Sequence, residues 1–143
     1  MSDTPRSEDL TAAEALELLG NVRFGRVVFT SKAMPTVRPV RHVLAGGQIV
    51  IAAGPELVLG TAGAGGDTIL AYEADQLDSS GSSGWSVVVV GRATRVSGGA
   101  RERRYRRMLP LAAGDQLVVI STDLVAGFRL TPREGSTPVP AGG

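Results

Sequence analysis

Short runs of β-branched residues, separated by turns that contain glycine, constrain this chain more than any other feature of its sequence. Valine, isoleucine and threonine favour a pleated, half-buried backbone, whereas glycine supplies the positive φ that tight turns require. The pair Gly46-Gly47, set between two such runs, is typical of a β-hairpin. The pattern predicts strands at residues 26–30, 36–43, 48–53, 68–74, 85–96, 116–121 and 126–130.

Only two helices are predicted beside these strands. The first begins at Asp9 or Thr11, since Thr11 and Glu14 have the spacing of a capping box, and it ends at Gly20. The second covers residues 100–109. Many short strands with hairpin turns and two short helices indicate a mainly β (α+β) fold, an antiparallel barrel rather than a doubly wound sheet.

The length of 143 residues corresponds to one domain. We place this domain at residues 9–131. The polar residues 1–8 and the proline- and glycine-rich residues 132–143 are predicted to be disordered.

Composition excludes several classes of function. The chain has no cysteine and one histidine, which rules out disulfides, zinc fingers, iron–sulfur clusters and multi-histidine metal sites, so no metal site is predicted. A net charge of +1 gives no general attraction to nucleic acid. The sequence shows neither a run long enough to span a bilayer nor a signal peptide, so we expect a cytoplasmic protein without a membrane partner.

Several motifs have a structural interpretation that outweighs the functional one. The glycine-rich residues 60–66 lack the Gly-Lys-Ser/Thr ending of a phosphate loop. The arginines of residues 101–107 are spread around a helix and predict a solvated face. Glu73 and Asp75 have the spacing of paired carboxylates but lie at a strand end. No catalytic residue is identified.

The strand at residues 36–43 carries the candidate site. Its period of two places Arg38 and His42 on one face, and Pro39 indicates a sheet edge or a bulge. His42 has two interpretations that the residues leave open. It could act as a general base or bind a cofactor ring, or it could be a hydrogen-bonded residue of the core.

Six segments, taken in order, resemble the pyridoxamine 5'-phosphate oxidase-like family of FMN-binding split barrels, and in particular its small actinobacterial-type members. The segments are Leu18-Leu19-Gly20, Phe24 to Phe29, Val37 to Val43, Gln48 to Ile51, Leu70 to Asp75 and Ser83 to Ala93. The resemblance implies a six-stranded antiparallel split β-barrel. It also implies a homodimer with two FMN sites at the subunit interface.

The resemblance assigns cofactor-binding roles residue by residue. Arg38 would meet the ribityl phosphate region, and the four residues that follow it would line the isoalloxazine largely through backbone groups. Ala52 and Ala53 of the next strand would flank the flavin. Trp85 and Ser86 of the other subunit would contact the same site. In order, the residues with these roles are Arg38, Pro39, Val40, Arg41, His42, Ala52, Ala53, Trp85 and Ser86.

One departure from the family pattern concerns the flavin phosphate. The family places a Ser/Thr-Lys or Arg-Lys pair after the third strand, where this chain has Gly54 to Leu57 or, with the gap moved, Gly60-Thr61-Ala62. The first alignment supplies Glu56 and the second supplies Thr61, and neither supplies a cation.

The leading hypothesis is therefore an FMN-binding, flavin-dependent oxidoreductase that acts by hydride transfer on an unknown small molecule. One alternative is a deazaflavin-dependent reductase on the same fold, in which Arg41 or Arg92 meets an anionic tail. The other is a non-catalytic member without tight cofactor binding.

Overall fold

The computed structural model describes residues 4–60 and 68–133. In chain order its elements are β1 (Arg6–Asp9), α1 (Ala12–Gly20), β2 (Phe24–Ser31), β3 (Met34–Ala45), β4 (Gln48–Ala53), β5 (Thr68–Leu77), β6 (Gly84–Val96), α2 (Gly99–Met108), β7 (Gln116–Ile120) and β8 (Leu124–Thr131). The mainly β fold with two helices is confirmed.

Six strands close into a barrel in the order β6-β5-β2-β3-β4-β7, and β7 pairs again with β6. Every pairing is antiparallel. One edge of the long strand β6 pairs with β5, and the opposite edge pairs with two strands. On that edge Gly84 to Val90 pair with β8, and Ala93 to Val96 pair with β7. This change of partner along one strand splits the barrel, and it confirms the predicted six-stranded antiparallel split β-barrel.

Gly91 lies where β6 changes partner. The Ser121 amide donates to the Arg92 carbonyl at 2.9 Å, and the Arg92 amide donates to Ser121 Oγ at 2.8 Å. A Cβ atom at position 91 would lie 1.6 Å from the Ser121 carbonyl oxygen. Glycine is therefore required here for the two backbones to come close enough for these bonds.

The barrel interior holds the main core, which includes Val27, Ile51, Tyr72 and Val87, all buried. The helix α1 packs against this core through Ala15 and Leu19. Burying side chains of this size contributes roughly 1.5–3 kcal/mol each.

A second, smaller cluster lies on the outside of the barrel. There Tyr105 of α2 and Leu109, which follows the helix, cover Val50 and Val119 of the barrel wall. The two helices therefore cover different surfaces, and the outer wall beyond α2 is left for other contacts.

The capping box at the start of α1 is confirmed. Thr11 Oγ1 accepts from the Glu14 amide at 3.1 Å, and Glu14 Oε1 accepts from the Thr11 amide at 3.0 Å. These two bonds satisfy amide groups that the first helical turn leaves without partners, so the helix begins after Thr11 rather than at Asp9.

The prediction that residues 1–8 are disordered is wrong for Arg6 to Glu8. These residues belong to β1, which pairs with β8 from Arg6↔Thr131 to Asp9↔Phe128. The strand has no hydrophobic pattern, since its side chains are polar and exposed. It pairs with β8 through backbone hydrogen bonds, which a hydrophobicity pattern does not reveal. Residues 1–3 and 134–143 lie outside the described residues. Of the predicted tail, Arg133 donates through Nε to the Thr4 carbonyl at 2.8 Å.

Neither helix within the described residues is long and apolar enough to cross a membrane.

Gly91→Ala tests the close approach at the split. We expect the free energy of unfolding to fall by about 3 kcal/mol or more, because Ser121 cannot retreat without breaking its bonds to Arg92. Gly47→Ala is the control, since Gly47 has φ of +75° but nothing within 4 Å of an added Cβ. Its cost is backbone strain alone, about 1–2 kcal/mol. Urea denaturation measures both, and equal losses would contradict the steric account.

Candidate functional site

The candidate site lies where β3 and β4 diverge. The two strands pair from Ala45↔Gln48 to His42↔Ile51 and no further, whereas Met34 to Arg41 pair with β2 alone. Pro39 lies in this half-paired part of β3, as expected of a residue without an amide hydrogen. The divergence opens a cleft beside residues 38–41.

We name this opening the β3–β4 cleft; its volume is about 590 Å³, within the range of small-molecule sites. The residues of β2, β3 and β4 form one side, and the chain after α2 forms the other. The lining residues are Phe24, Arg38, Pro39, Val40, Arg41, Ala52, Gly54, Glu56, Pro110, Leu111, Ala112 and Asp115. Five residues of the predicted cofactor set, from two strands, are therefore in one cleft.

Two cations and two anions line the β3–β4 cleft. The Arg41 guanidinium lies 5.3 Å from the centre of the Phe24 ring, its neighbour across the β2–β3 ladder. Arg38 Nε is 3.9 Å from Glu56 Oε1. Asp115 Oδ2 accepts from the Ala112 amide at 2.9 Å. Each anion thus has a partner within the cleft wall.

The turn that carries Glu56 is held from two sides. Gln116 Nε2 donates to the carbonyls of Gly54 at 3.0 Å and of Leu57 at 2.7 Å. Leu57 is buried in the core. The backbone on either side of Glu56 is consequently fixed, and its carboxylate is directed to the cleft.

A second opening adjoins the first at the β2–β3 turn. We name it the hairpin cleft; it has a volume of about 450 Å³ and shares Arg38 and Glu56 with the β3–β4 cleft. Its lining also includes Lys32 and Met34. The Arg38–Glu56 pair therefore stands at the boundary between two neighbouring clefts.

A family model described as pyridoxamine 5'-phosphate oxidase matches residues 11–137, which is most of the chain and the whole of the barrel. The chain belongs to this family.

The similar proteins agree with this assignment. An uncharacterized protein of Mycobacterium tuberculosis is 42% identical, and the alignment covers 85% of this chain and 84% of that protein. The structure of an FAD binding protein of Mycobacterium smegmatis is 25% identical with a TM-score of 0.64, covering 86% of this chain and 97% of that one. A Corynebacterium glutamicum structure, described as a candidate pyridoxamine 5'-phosphate oxidase, is 26% identical with a TM-score of 0.69, covering 92% and 98%.

His42 does not line the cleft of this family member, because its ring lies in the core. Its Nε2 donates to the Leu19 carbonyl at 2.8 Å, so Nδ1 is the acceptor and takes the hydrogen bond from the Tyr72 hydroxyl. Burial lowers the pKa of His42 and raises that of Tyr72. The side chain is thus not available to a ligand, and only the backbone at position 42 could take the predicted role.

Trp85 and Ala53 are also core residues. The Trp85 side chain is 6% exposed and packs in the core of its own barrel, so little of its surface is left for the predicted contact with a site on another subunit. Ala53 is 2% exposed and points inward, whereas Ala52 faces the cleft. Ser86 alternates with Trp85 and lies on the outer wall. Thr61 lies outside the described residues, as do 62–66 of the glycine-rich segment.

The cleft wall opposite β3 and β4 could not be predicted from the sequence. Pro110, Leu111 and Asp115 follow α2 and are brought beside β3 only by the closure of the barrel. Phe24 could have been found from the register of the β2–β3 hairpin, which sets it opposite Arg41.

The other charged motifs lie away from the β3–β4 cleft. Arg92 is on the outer wall near Asp123, with 3.8 Å between Nε and Oδ2, so it does not join Arg41 within one subunit. Glu73 and Asp75 both bind Arg26, at 2.6 and 3.2 Å, as a structural ion cluster. The described residues contain no group of three His, Asp or Glu that could hold a metal ion.

The buried state of His42 predicts a pH dependence of stability. Because its pKa is lower in the folded protein than in the unfolded chain, the unfolded chain takes up a proton first as pH falls. Wild type should therefore lose stability relative to His42→Gln below about pH 6.5, by at most about 1.4 kcal/mol per pH unit.

Urea denaturation at several pH values measures this difference. Tyr72→Phe, which keeps the buried histidine, should keep the direction of the wild-type pH dependence. If the difference in the free energy of unfolding between wild type and His42→Gln does not change with pH, the assigned protonation state is contradicted.

Proposed function

We propose that the protein binds a flavin in the β3–β4 cleft and is a flavin-dependent oxidoreductase that acts by hydride transfer. The observation that carries the proposal is the meeting of Arg38, Pro39, Val40, Arg41 and Ala52 in one cleft of ligand size. The M. smegmatis relative, an FAD binding protein, supports flavin as the class of ligand. FMN, implied by the sequence resemblance, belongs to the same class.

The chemistry of the cleft fits a flat heteroaromatic ring. Pro39, Val40, Ala52 and Leu111 supply apolar wall, and small side chains such as Ala52 leave room for a ring. The edge of β3 at residues 38–41 has no strand partner on the β4 side, so its backbone groups are available to polar ring atoms. Arg41 is held over Phe24 and can donate to a carbonyl or an anion.

A bound flavin would supply the redox chemistry, and the protein its placement and electrostatics. Under this proposal the walls of the cleft orient the ring and exclude water from one side. The edge of β3 fixes its position by hydrogen bonds, and the arginines balance negative charge. The β3–β4 cleft contains no histidine side chain and no unpaired carboxylate among its described lining residues, so we assign no proton-transfer role.

We also propose a homodimer formed through the outer wall of β2, β3, β5, β6 and β8, named here the open face. One row of cross-strand neighbours on this face is entirely apolar: Val37, Val28, Ala71, Val90 and Leu124. Of these, Val37 and Leu124 are 50% and 67% exposed. An apolar row across five strands favours a protein partner.

The next row contains an ion cluster of one arginine and two carboxylates. Arg26 is bound to Glu73 and Asp75, and the neighbouring Arg26 and Glu73 lie between Pro39 and Val88 in this row. Arg26 balances one of the two carboxylates, so a second copy that covers this cluster would have to supply a donor for the other. Pro39 belongs both to this row and to the β3–β4 cleft, so a partner on the open face would also border the cleft. In this proposed dimer Ser86, opposite Phe128 on the same face, would approach the partner's cleft.

The flavin proposal is tested by titrating the purified protein with riboflavin, FMN and FAD and following flavin fluorescence. We expect at least one to bind, and Ala52→Leu to weaken that binding about tenfold or more by filling the cleft. Ala100→Leu, on the exposed start of α2, is the matched control and should bind as wild type does.

Failure of all three flavins would overturn the proposal. Binding of a deazaflavin, titrated in parallel, would instead support the deazaflavin-dependent reductase. A protein that binds none of these compounds would be a non-catalytic member.

Val88→Asp tests the homodimer. Val88 is 38% exposed on the open face, and a carboxylate there would be buried without a partner in the dimer. We expect the variant to elute as a monomer where wild type elutes as a dimer. Val58→Asp is the matched control, since Val58 is 79% exposed and lies outside the open face. A variant that remains dimeric would place the interface elsewhere.

A further inference from the structure

We infer that Glu56 makes the β3–β4 cleft select flavins that lack a terminal phosphate monoester. The inference rests on the proposed function and concerns the end of the ligand that carries no redox chemistry. The ligand class it defines is a flavin with a neutral end, or one in which each phosphate carries a single charge.

The first observation is the pairing of Arg38. Its guanidinium is the cation nearest to Glu56, with 3.9 Å between Nε and Oε1, and its Nη1 donates to the Val37 carbonyl at 3.1 Å. A phosphate that approached Arg38 would have to share it with the carboxylate already present. The Val37 carbonyl thus occupies one of the donors of Arg38, and the charge of Glu56 offsets part of its attraction for a phosphate.

The second observation is the placement of Glu56. Its turn is fixed by Gln116 and by the buried Leu57. Its carboxylate also rests against Gly54, where an added Cβ would lie 2.3 Å from Oε2. The negative charge is therefore a built part of the cleft wall.

The third observation is the position of the pair between the two clefts. Arg38 and Glu56 line both the β3–β4 cleft and the hairpin cleft. A ligand with its ring in the first cleft and its tail in the second would lie beside the Glu56 carboxylate at the boundary, whereas Lys32 lies further along, in the hairpin cleft. The charge of the tail at that point decides how well the ligand binds.

The charges of the β3–β4 cleft give no net attraction to a dianion. Arg38 and Arg41 are balanced by Glu56 and Asp115 among the described lining residues. A phosphate monoester carries about −1.5 to −2 charges near neutral pH. It therefore meets stronger repulsion from Glu56 than a neutral ribityl end does. A dinucleotide divides two charges between two phosphates, so the phosphate nearest to Glu56 carries only one of them.

The test compares riboflavin, FMN and FAD on wild type and on Glu56→Gln, which keeps the shape of the side chain and removes its charge. Wild type should bind riboflavin more tightly than FMN. Glu56→Gln should tighten FMN binding about tenfold or more, change riboflavin binding by less than about twofold, and tighten FAD binding by an intermediate factor. Glu17→Gln, exposed on α1, is the control and should change none of them.

Arg38→Ala provides a second measurement. Without Arg38 the Glu56 charge has no counter-ion, so FMN binding should weaken by a larger factor than riboflavin binding does. Fluorescence titration reads the affinities directly and needs no enzyme assay.

The outcomes separate this inference from the proposal on which it rests. Equal affinity for riboflavin and FMN, unchanged in Glu56→Gln, would overturn the role of Glu56 and leave flavin binding intact. Absence of binding by all three flavins in wild type and in Glu56→Gln would overturn both.

Discussion

The divergence of β3 from β4 is the constraint on which the candidate site depends. The strand β3 extends beyond its ladder with β4. Its last four residues pair with β4, and the eight residues before them pair with β2 alone. Because β4 continues its ladder with β7 while β3 continues along β2, the two strands separate after His42↔Ile51. The cleft, the free edge at residues 38–41 and the approach of Leu111 and Asp115 all follow from this separation.

Closure of the barrel is what permits the divergence. β6 must pair with β8 in its first half and with β7 in its second, and Gly91 allows the required approach of Ser121. His42 connects α1 to the barrel interior, because its imidazole is hydrogen-bonded both to the Leu19 carbonyl of α1 and to the Tyr72 hydroxyl of β5. These contacts stabilise the scaffold and leave the outer surface of β3 for binding.

Much of this could be predicted from the sequence because its patterns are local. Alternation along β3, the Gly46-Gly47 turn and the capping box of α1 report backbone geometry within a few residues. Strand β1 was missed because its side chains are polar and exposed, and only the edge of β8 explains it. The buried positions of His42 and Trp85 depend on which face of each strand turns inward, and alternation alone does not decide that. The far wall of the cleft comes from a segment about seventy residues away in sequence, for which no local signal exists.

The binding of a flavin by a pair of chains is tested most directly by sedimentation velocity followed at the visible absorbance of the flavin. We expect this absorbance to sediment with the mass of the dimer, with as many flavins as chains. Colour that sediments only as free flavin at every protein concentration, or with the mass of a single chain, would contradict it.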